Sequence, residues 1–174
     1  MTSFKTGWYL LYTMPRHEKK VAEQLEGQQL TYYLPVLNRV CNRNGRMKRI
    51  EVPMFPSYVF IYLENMKHYF AGLNMSGVLN YVKFGGRIAY VADSIISNLK
   101  LLCEYGKNVE VSFSEFQKGE ILTFSEGPFA RMQCEMVQYK NEEKILVRLH
   151  LLQRNVLMEV PAIQLINMQA ANRA

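Results

Sequence analysis

What this sequence lacks excludes several whole classes of function. It has only three cysteines, Cys41, Cys103 and Cys134, far apart and odd in number. Such thiols support neither a disulfide framework nor a Cys-x-x-Cys metal site, and they read as buried or incidental. The histidines, His17, His68 and His150, are equally scattered, with no second ligand at i+4, so no metal and no cofactor are expected. No apolar run is long enough to span a bilayer, and the opening MTSFKTGWYLLYTMPR has no signal-peptide layout. The expectation is a cytoplasmic protein without membrane association. Gly-x-Ser-x-Gly, a phosphate-cradling Gly-Lys-Ser/Thr loop and the dinucleotide fingerprint are all missing, and Gly85-Gly86 is a lone turn signal. Acids in the first part of the chain are few (Glu18, Glu23, Glu26, Glu51, Glu64, Asp93), and none forms a pair suited to acid–base work. An enzyme is not expected.

What is present points to binding. Residues 1–100 carry 13 Lys and Arg against 6 Asp and Glu, whereas residues 101–174 carry 8 against 9. A basic first part and a near-neutral second part imply two modules, of which the first faces a polyanion; an unevenly charged soluble surface is the plainer reading. At 174 residues the chain has room for two small domains.

Trp8–Met14 is aromatic and aliphatic and reads as a buried strand. Thr13 is placed to cap a following helix with Pro15 in its first turn, Val21, Ala22 and Leu25 form its apolar stripe, and Gly27 stops it. Thr31–Val40 is β-like, Asn44-Gly45 marks a tight turn inside a hairpin over 38–52, and Ser57–Leu63 is a strand. Met66, Tyr69, Phe70 and Leu73 recur at helical spacing. Two short β segments follow, around Leu79–Phe84 and Ile88–Val91, and Asp93 can cap a last helix burying Ile95, Ile96, Leu99 and Leu102. One α/β unit therefore closes by about residue 104, and the polar stretch 105–116 reads as a linker. From 117 to 168 the pattern is all β, with short strands expected at Ile121–Phe124, Glu135–Tyr139, Ile145–Leu149, Val156–Val160 and Leu165–Asn167. Strands so short and numerous indicate a small barrel, whose closure removes sheet edges.

Two surface features stand out. Asn38–Ile50 holds Arg39, Arg43, Arg46, Lys48 and Arg49 with no acid, a hairpin tip suited to phosphate through Coulomb forces and counterion release. With no base-reading helix in view, that tip would bind with little sequence preference; a solvated charged loop is the alternative. The aromatics are the second feature. Alternation puts Tyr58, Phe60 and Tyr62 on one strand face and Val59, Ile61 and Leu63 on the other. A sheet with two apolar faces is covered on both, or one face docks a partner.

Taken together, these segments resemble the NusG family over nearly the whole chain. The motifs are Trp8-Tyr9-x-x-Tyr12-Thr13-x-Pro15-Arg16-x-Glu18-Lys19-Lys20-Val21-Ala22-x-x-Leu25, Phe55-Pro56-Ser57-Tyr58-Val59-Phe60, Gly77-Val78 with Tyr81-Val82, Lys118-Gly119-Glu120, and Glu126-Gly127-Pro128-Phe129. The resemblance implies an α+β protein with an N-terminal α/β sandwich, an antiparallel sheet flanked by helices, over 1–104. A linker over 105–116 and a small KOW-type β-barrel over 117–168 would follow. It implies a transcription elongation and antitermination factor that binds the clamp helices of the largest subunit of bacterial RNA polymerase and the non-template DNA, suppressing pausing and termination. Positions matching the family's polymerase contacts are Tyr12, Phe55, Tyr58 and Phe60, with Tyr69 and Phe70 at the segment that in relatives reaches across the cleft. Those matching its DNA contacts are Arg16, Lys20, Gln24, Asn74 and Ser76. Rho or a ribosomal protein is the partner class it offers for the barrel.

The chain also departs from the common pattern. Gly127-Pro128-Phe129 continues with Arg131 and Cys134 where relatives carry glycines. That departure and the short linker resemble specialised paralogues of the UpxY and RfaH type, which act on particular operons such as those for surface polysaccharide. The alternatives are a general NusG-type elongation factor and a KOW-containing RNA-binding or ribosome-associated module. One segment stays two-sided. Ile145–Leu152 suits a strand through Val147, Leu149 and Leu151, and a helix through Ile145, Leu149 and Leu152. Gly127-Pro128 and the β-rich run before Pro161 favour the barrel.

Overall fold

The computed structural model describes residues 5–43, 45–112, 119–124, 127–139, 142–149, 154–159 and 168–170. The chain divides into two compact units, Met1–Ile96 and Ser97–Ala174.

In the first unit, β1 (Gly7–Thr13) is buried at every position except Tyr12. The helix α1 (Glu18–Gly27) follows, then β2 (Tyr32–Tyr33), the hairpin β3 (Val36–Arg43) and β4 (Arg46–Pro53), and β5 (Tyr58–Leu63). Next come α2 (Met66–Leu73), β6 (Val78–Tyr81), a second small hairpin of β7 (Lys83–Phe84) and β8 (Arg87–Ile88), and β9 (Tyr90–Val91), and the division between the units then falls within α3 (Asp93–Tyr105). The unit's main sheet is antiparallel, in the order β2-β5-β1-β6, with β9 also pairing β1. One face is the main core: Tyr9, Leu11, Val59, Ile61, Leu63 and Tyr81 meet Val21 and Leu25 of α1, as the helix stripe predicts.

Thr13 does not cap α1. It is the buried last residue of β1, donating its N–H to Ser57 O at 2.9 Å and its hydroxyl to Met14 O at 3.2 Å. Arg16 takes a φ of 65°, so a turn intervenes. The helix begins at Glu18, with His17 at the N-cap and no side-chain cap.

In the second unit, β10 (Lys107–Ser112), β11 (Glu120–Phe124), β12 (Gln133–Tyr139), β13 (Glu142–Leu149), β14 (Arg154–Glu159) and β15 (Met168–Ala170) form one antiparallel sheet in the order β10-β14-β13-β12-β11-β15. This sheet-rich unit fits a KOW-type barrel, and the protein is α+β. The ambiguous segment from Ile145 is β13, whose Ile145 faces Met158 and Leu146 faces Leu157.

The stretch read as linker includes β10, a correction. Glu110 and Val111 pair with Leu157 and Val156 of β14. Lys144 of β13, almost buried, holds the Glu110 carboxylate at 2.9 Å. The rest of that stretch, 113–116, and the strand expected at Leu165–Asn167 lie outside the described residues. No helix among the described residues is long and apolar enough to cross a membrane.

Candidate nucleic-acid and partner interface

The register of β1 against β5 stacks three cross-strand pairs on one face: Trp8 with Tyr62, Leu10 with Phe60, and Tyr12 with Tyr58. Such pairs are the unit of sheet stabilisation, and here the middle pair is the most buried and the Tyr12–Tyr58 pair reaches the surface. Phe60 is 1% exposed and meets the equally buried Phe55 edge to face, ring centres 6.2 Å apart. At the open end Tyr12 is 41% exposed, its ring 5.5 Å from that of half-buried Tyr58. Of the aromatic positions matched to polymerase contacts, Tyr12 and Tyr58 present surface, whereas Phe55 and Phe60 are buried. Phe60 is inside because it pairs with Leu10 at the middle of the ladder.

A residue the sequence reading passed over holds this end in place. Glu18 opens α1, yet its side chain is buried, and Ser57 donates its N–H to the carboxylate at 2.6 Å. Ser57 has a φ of 68°, which an L-residue adopts at a cost of about 1 kcal/mol. The Phe55-Pro56-Ser57-Tyr58 turn is thereby pinned to the helix. The available signal was an acid in a basic first turn with no cation at i+3 or i+4, where Val21 and Ala22 stand.

The residues matched to DNA contacts converge. Gln24 is bound twice to Ser76: its amide donates to Ser76 O at 3.0 Å, and Ser76 N–H donates back to its side-chain oxygen at 2.9 Å. The same amide reaches Lys20 O at 3.1 Å. Met14 donates its N–H to Gly77 O at 2.8 Å, and a Cβ on Gly77 would lie 2.9 Å from the His17 ring. The loop after α2 is thus fastened to the start of α1, with Arg16, Lys20, Asn74 and Ser76 all exposed. Gln24, its amide already engaged, positions this surface.

In the β3–β4 hairpin, register sorts the cations by face. Val40 lies opposite Arg49, Cys41 opposite Lys48, Asn42 opposite Met47, and Arg43 opposite Arg46. Alternation then puts Arg39, Lys48 and Arg46 on one face, with Arg43 at a register position of that face, and Arg49 on the other beside exposed Val40 and Met47. Glu51, on the Arg49 face, meets Lys19 at 3.6 Å with both side chains exposed, a contact of small energy.

On α2 the matched pair splits. Tyr69 stacks on Tyr81 with ring centres 4.7 Å apart, and its carbonyl accepts the Tyr81 hydroxyl at 3.1 Å. Burial, and then the neighbouring Tyr69, push the Tyr81 hydroxyl far above its ordinary pKa. Tyr69 is therefore structural, and Phe70, 56% exposed, is the ring on offer. Among the described residues no cluster of His, Cys, Asp or Glu could hold a metal ion.

Known proteins agree with this architecture. The family described as "Transcription termination factor nusG" matches residues 6–100. The transcription termination/antitermination protein NusG of Streptococcus pyogenes serotype M1 is 23% identical over 176 residues, covering 95% of this chain and 98% of that one. That of Rickettsia conorii is 27% identical over 158 residues, 80% of each chain. A solved structure titled "Domain interaction in Thermotoga maritima NusG" superposes with a TM-score of 0.52 at 21% identity, covering 97% of this chain and 98% of that one. This chain belongs to the NusG family of transcription termination/antitermination factors, which are not enzymes.

Proposed function

We propose that this protein is an operon-directed antiterminator that rides on bacterial RNA polymerase. The observation that carries the reading is the aromatic ladder. Tyr12 and Tyr58 emerge together at its open end, Phe55 and Phe60 are buried, and Arg16 and Lys20 are exposed. Tyr12 and Tyr58 would dock on the clamp helices of the largest subunit, with Phe70 as a second apolar contact across the cleft. Arg16, Lys20, Asn74 and Ser76 would orient the non-template DNA, and the cation face of the β3–β4 hairpin would meet duplex phosphate without reading sequence. Aromatic docking supplies the free energy and charge supplies orientation. Holding the polymerase closed lowers its tendency to pause and to terminate. The site of action would be the cytoplasm, and Rho or a ribosomal protein is the partner class for the barrel.

The specialised, UpxY- or RfaH-like form is favoured by Arg131 and Cys134 after Gly127-Pro128-Phe129. Arg131 adopts a φ of 67° where a glycine would sit without strain. A general elongation factor is the second reading, and occupancy across the whole genome rather than on a few operons would select it. The docking test is co-purification of polymerase with the full chain. Tyr58→Ala should weaken binding by ~1–3 kcal/mol, as loss of a buried aromatic anchor does, with the fold intact. Wild-type affinity in a folded Tyr12→Ala/Tyr58→Ala variant would refute it.

A further inference from the structure

The β7–β8 hairpin has no part in the core that would explain its tip. Its register sets Lys83 opposite Ile88 and Phe84 opposite Arg87. Ile88 packs against the main hydrophobic core, so alternation turns Phe84 and Arg87 together to the opposite side. Phe84 is 81% exposed, more than any other large hydrophobic residue described, and Arg87 and Lys83 are exposed as well. The turn is Gly85-Gly86 with φ of 57° and 78°, the double left-handed conformation of a tight two-residue hairpin. A Cβ on either glycine would meet nothing within 4 Å, so backbone conformation and not crowding demands glycine there. The ladder continues below, where Ala89 donates its N–H to Val82 O at 2.8 Å. The result is a short, braced finger that holds an aromatic ring and a guanidinium side by side in water. Leaving such a ring solvated forgoes the free energy of its burial, which a ligand for the ring would recover.

We propose that this finger binds single-stranded nucleic acid. Phe84 stacks on one unpaired base, Arg87 beside it pairs with the adjoining phosphate, and Lys83 adds charge at the base of the tip. The chemistry fits an unpaired base better than a duplex, because a stacked base pair offers no free face to the ring. It also fits the basic balance of residues 1–100, 13 Lys and Arg against 6 acids. This site is distinct from the Tyr12–Tyr58 end of the ladder and does not depend on polymerase docking.

The test is fluorescence anisotropy of the full chain with labelled oligothymidylate, oligouridylate and a blunt duplex of equal length. Phe84→Ala should lose about tenfold in affinity for single strands, the scale of one stacked base, and little for the duplex. Phe84→Trp should keep affinity, and its new exposed indole emission should be quenched by the oligonucleotide. A loss confined to the DNA or to the RNA strand identifies which of them the finger takes. Unchanged single-strand affinity in Phe84→Ala, an equal loss on the duplex, or an unquenched Phe84→Trp would overturn the proposal. So would a wild-type chain that binds no single strand.

Discussion

Replacing Glu18 tests whether the docking end is held by the contact that the geometry singles out. Its carboxylate is buried and accepts the Ser57 N–H at 2.6 Å. A hydrogen bond to a charged group contributes about 1.5–3 kcal/mol, and Ser57 is only half-buried, so water recovers part of what Glu18→Ala removes. An acid in a helix's first turn adds about 0.3–1 kcal/mol. Relaxation of the strained Ser57 backbone returns about 1 kcal/mol. With that part recovered by water, the net cost is about 1–2 kcal/mol. For a unit of residues 1–96 that corresponds to a fall in Tm of roughly 10 °C. Thermal melting of the full chain by circular dichroism measures it. Glu18→Gln, which keeps an acceptor of the same shape, should fall by about half as much. Ser57→Gly should be tolerated in the wild-type background, since glycine adopts that φ freely, and should recover nothing in the Glu18→Ala background, where the turn has already relaxed. A Glu18→Ala chain that melts within about 2 °C of wild type would refute the reasoning, because it would put the net cost under about 0.5 kcal/mol, well below the central sum.

Three further perturbations follow from the geometry. Arg46→Glu with Lys48→Glu, on the cation face of the β3–β4 hairpin, should weaken DNA binding and flatten its log–log salt dependence by about two; Arg49→Glu, on the opposite face, should change it less. An unchanged slope would make the tip a solvated loop. Burial, aided by Glu135, pushes the Cys134 thiol from 9.0 up to about 12. Its contribution to stability is therefore complete below pH 9 and lost as pH rises toward 12, so the alkaline loss of stability should be shallower in Cys134→Ala, and a thiol reagent at neutral pH should label exposed Cys41 first. Lys144→Met, which removes the 2.9 Å ion pair to the partly exposed Glu110 carboxylate, should destabilise the second unit by about 1–3 kcal/mol in denaturant melts, and adding Glu110→Leu should restore most of it.

The elements legible in the sequence were those whose pattern and burial coincide. The stripe Val21, Ala22 and Leu25, the alternation of β5 and the β3–β4 hairpin all lie where periodicity puts them. The losses have local causes. Thr13 has the chemistry of a cap, but Pro15 and the left-handed Arg16 insert a turn that moves the helix start to Glu18. Strand β10 carries Val109 and Val111 among polar residues, and its partner β14 lies far along the chain, so local pattern could not reveal a pairing that tertiary contact supplies. Around Ile145 the sequence suits both periods because burial there is nearly continuous. Ile145 with Leu146, and Val156 with Leu157 and Met158, are at most 1% exposed. A strand buried on both faces loses the polar alternation that would distinguish it from a helix. Among the matched DNA positions, Gln24 was legible as a place but not as a role. Its bonds to Ser76 join residues far apart in sequence.

The aromatic stripe shows why core and docking surface need not be alternatives. From sequence, Tyr58, Phe60 and Tyr62 form one face with one fate. In the fold, fate changes along the strand. The middle pair, Leu10 with Phe60, is at 1% exposure, and two residues on, Tyr12 reaches 41%. The same ladder therefore supplies rigidity at one point and contact area at another. Rigidity matters because association loses side-chain freedom, and a ring already fixed by a cross-strand partner loses less of it. Tyr12 and Tyr58 restrain each other at 5.5 Å, buried Phe55 and Phe60 meet edge to face, and Glu18 ties the turn that carries Tyr58 to α1. α1 also bears Lys20, and Gln24 fastens it to Ser76. One helix thus sets the position of both the aromatic end and the basic rim, so a substitution that shifts α1 should disturb the two together, whereas Tyr58→Ala should disturb only the first.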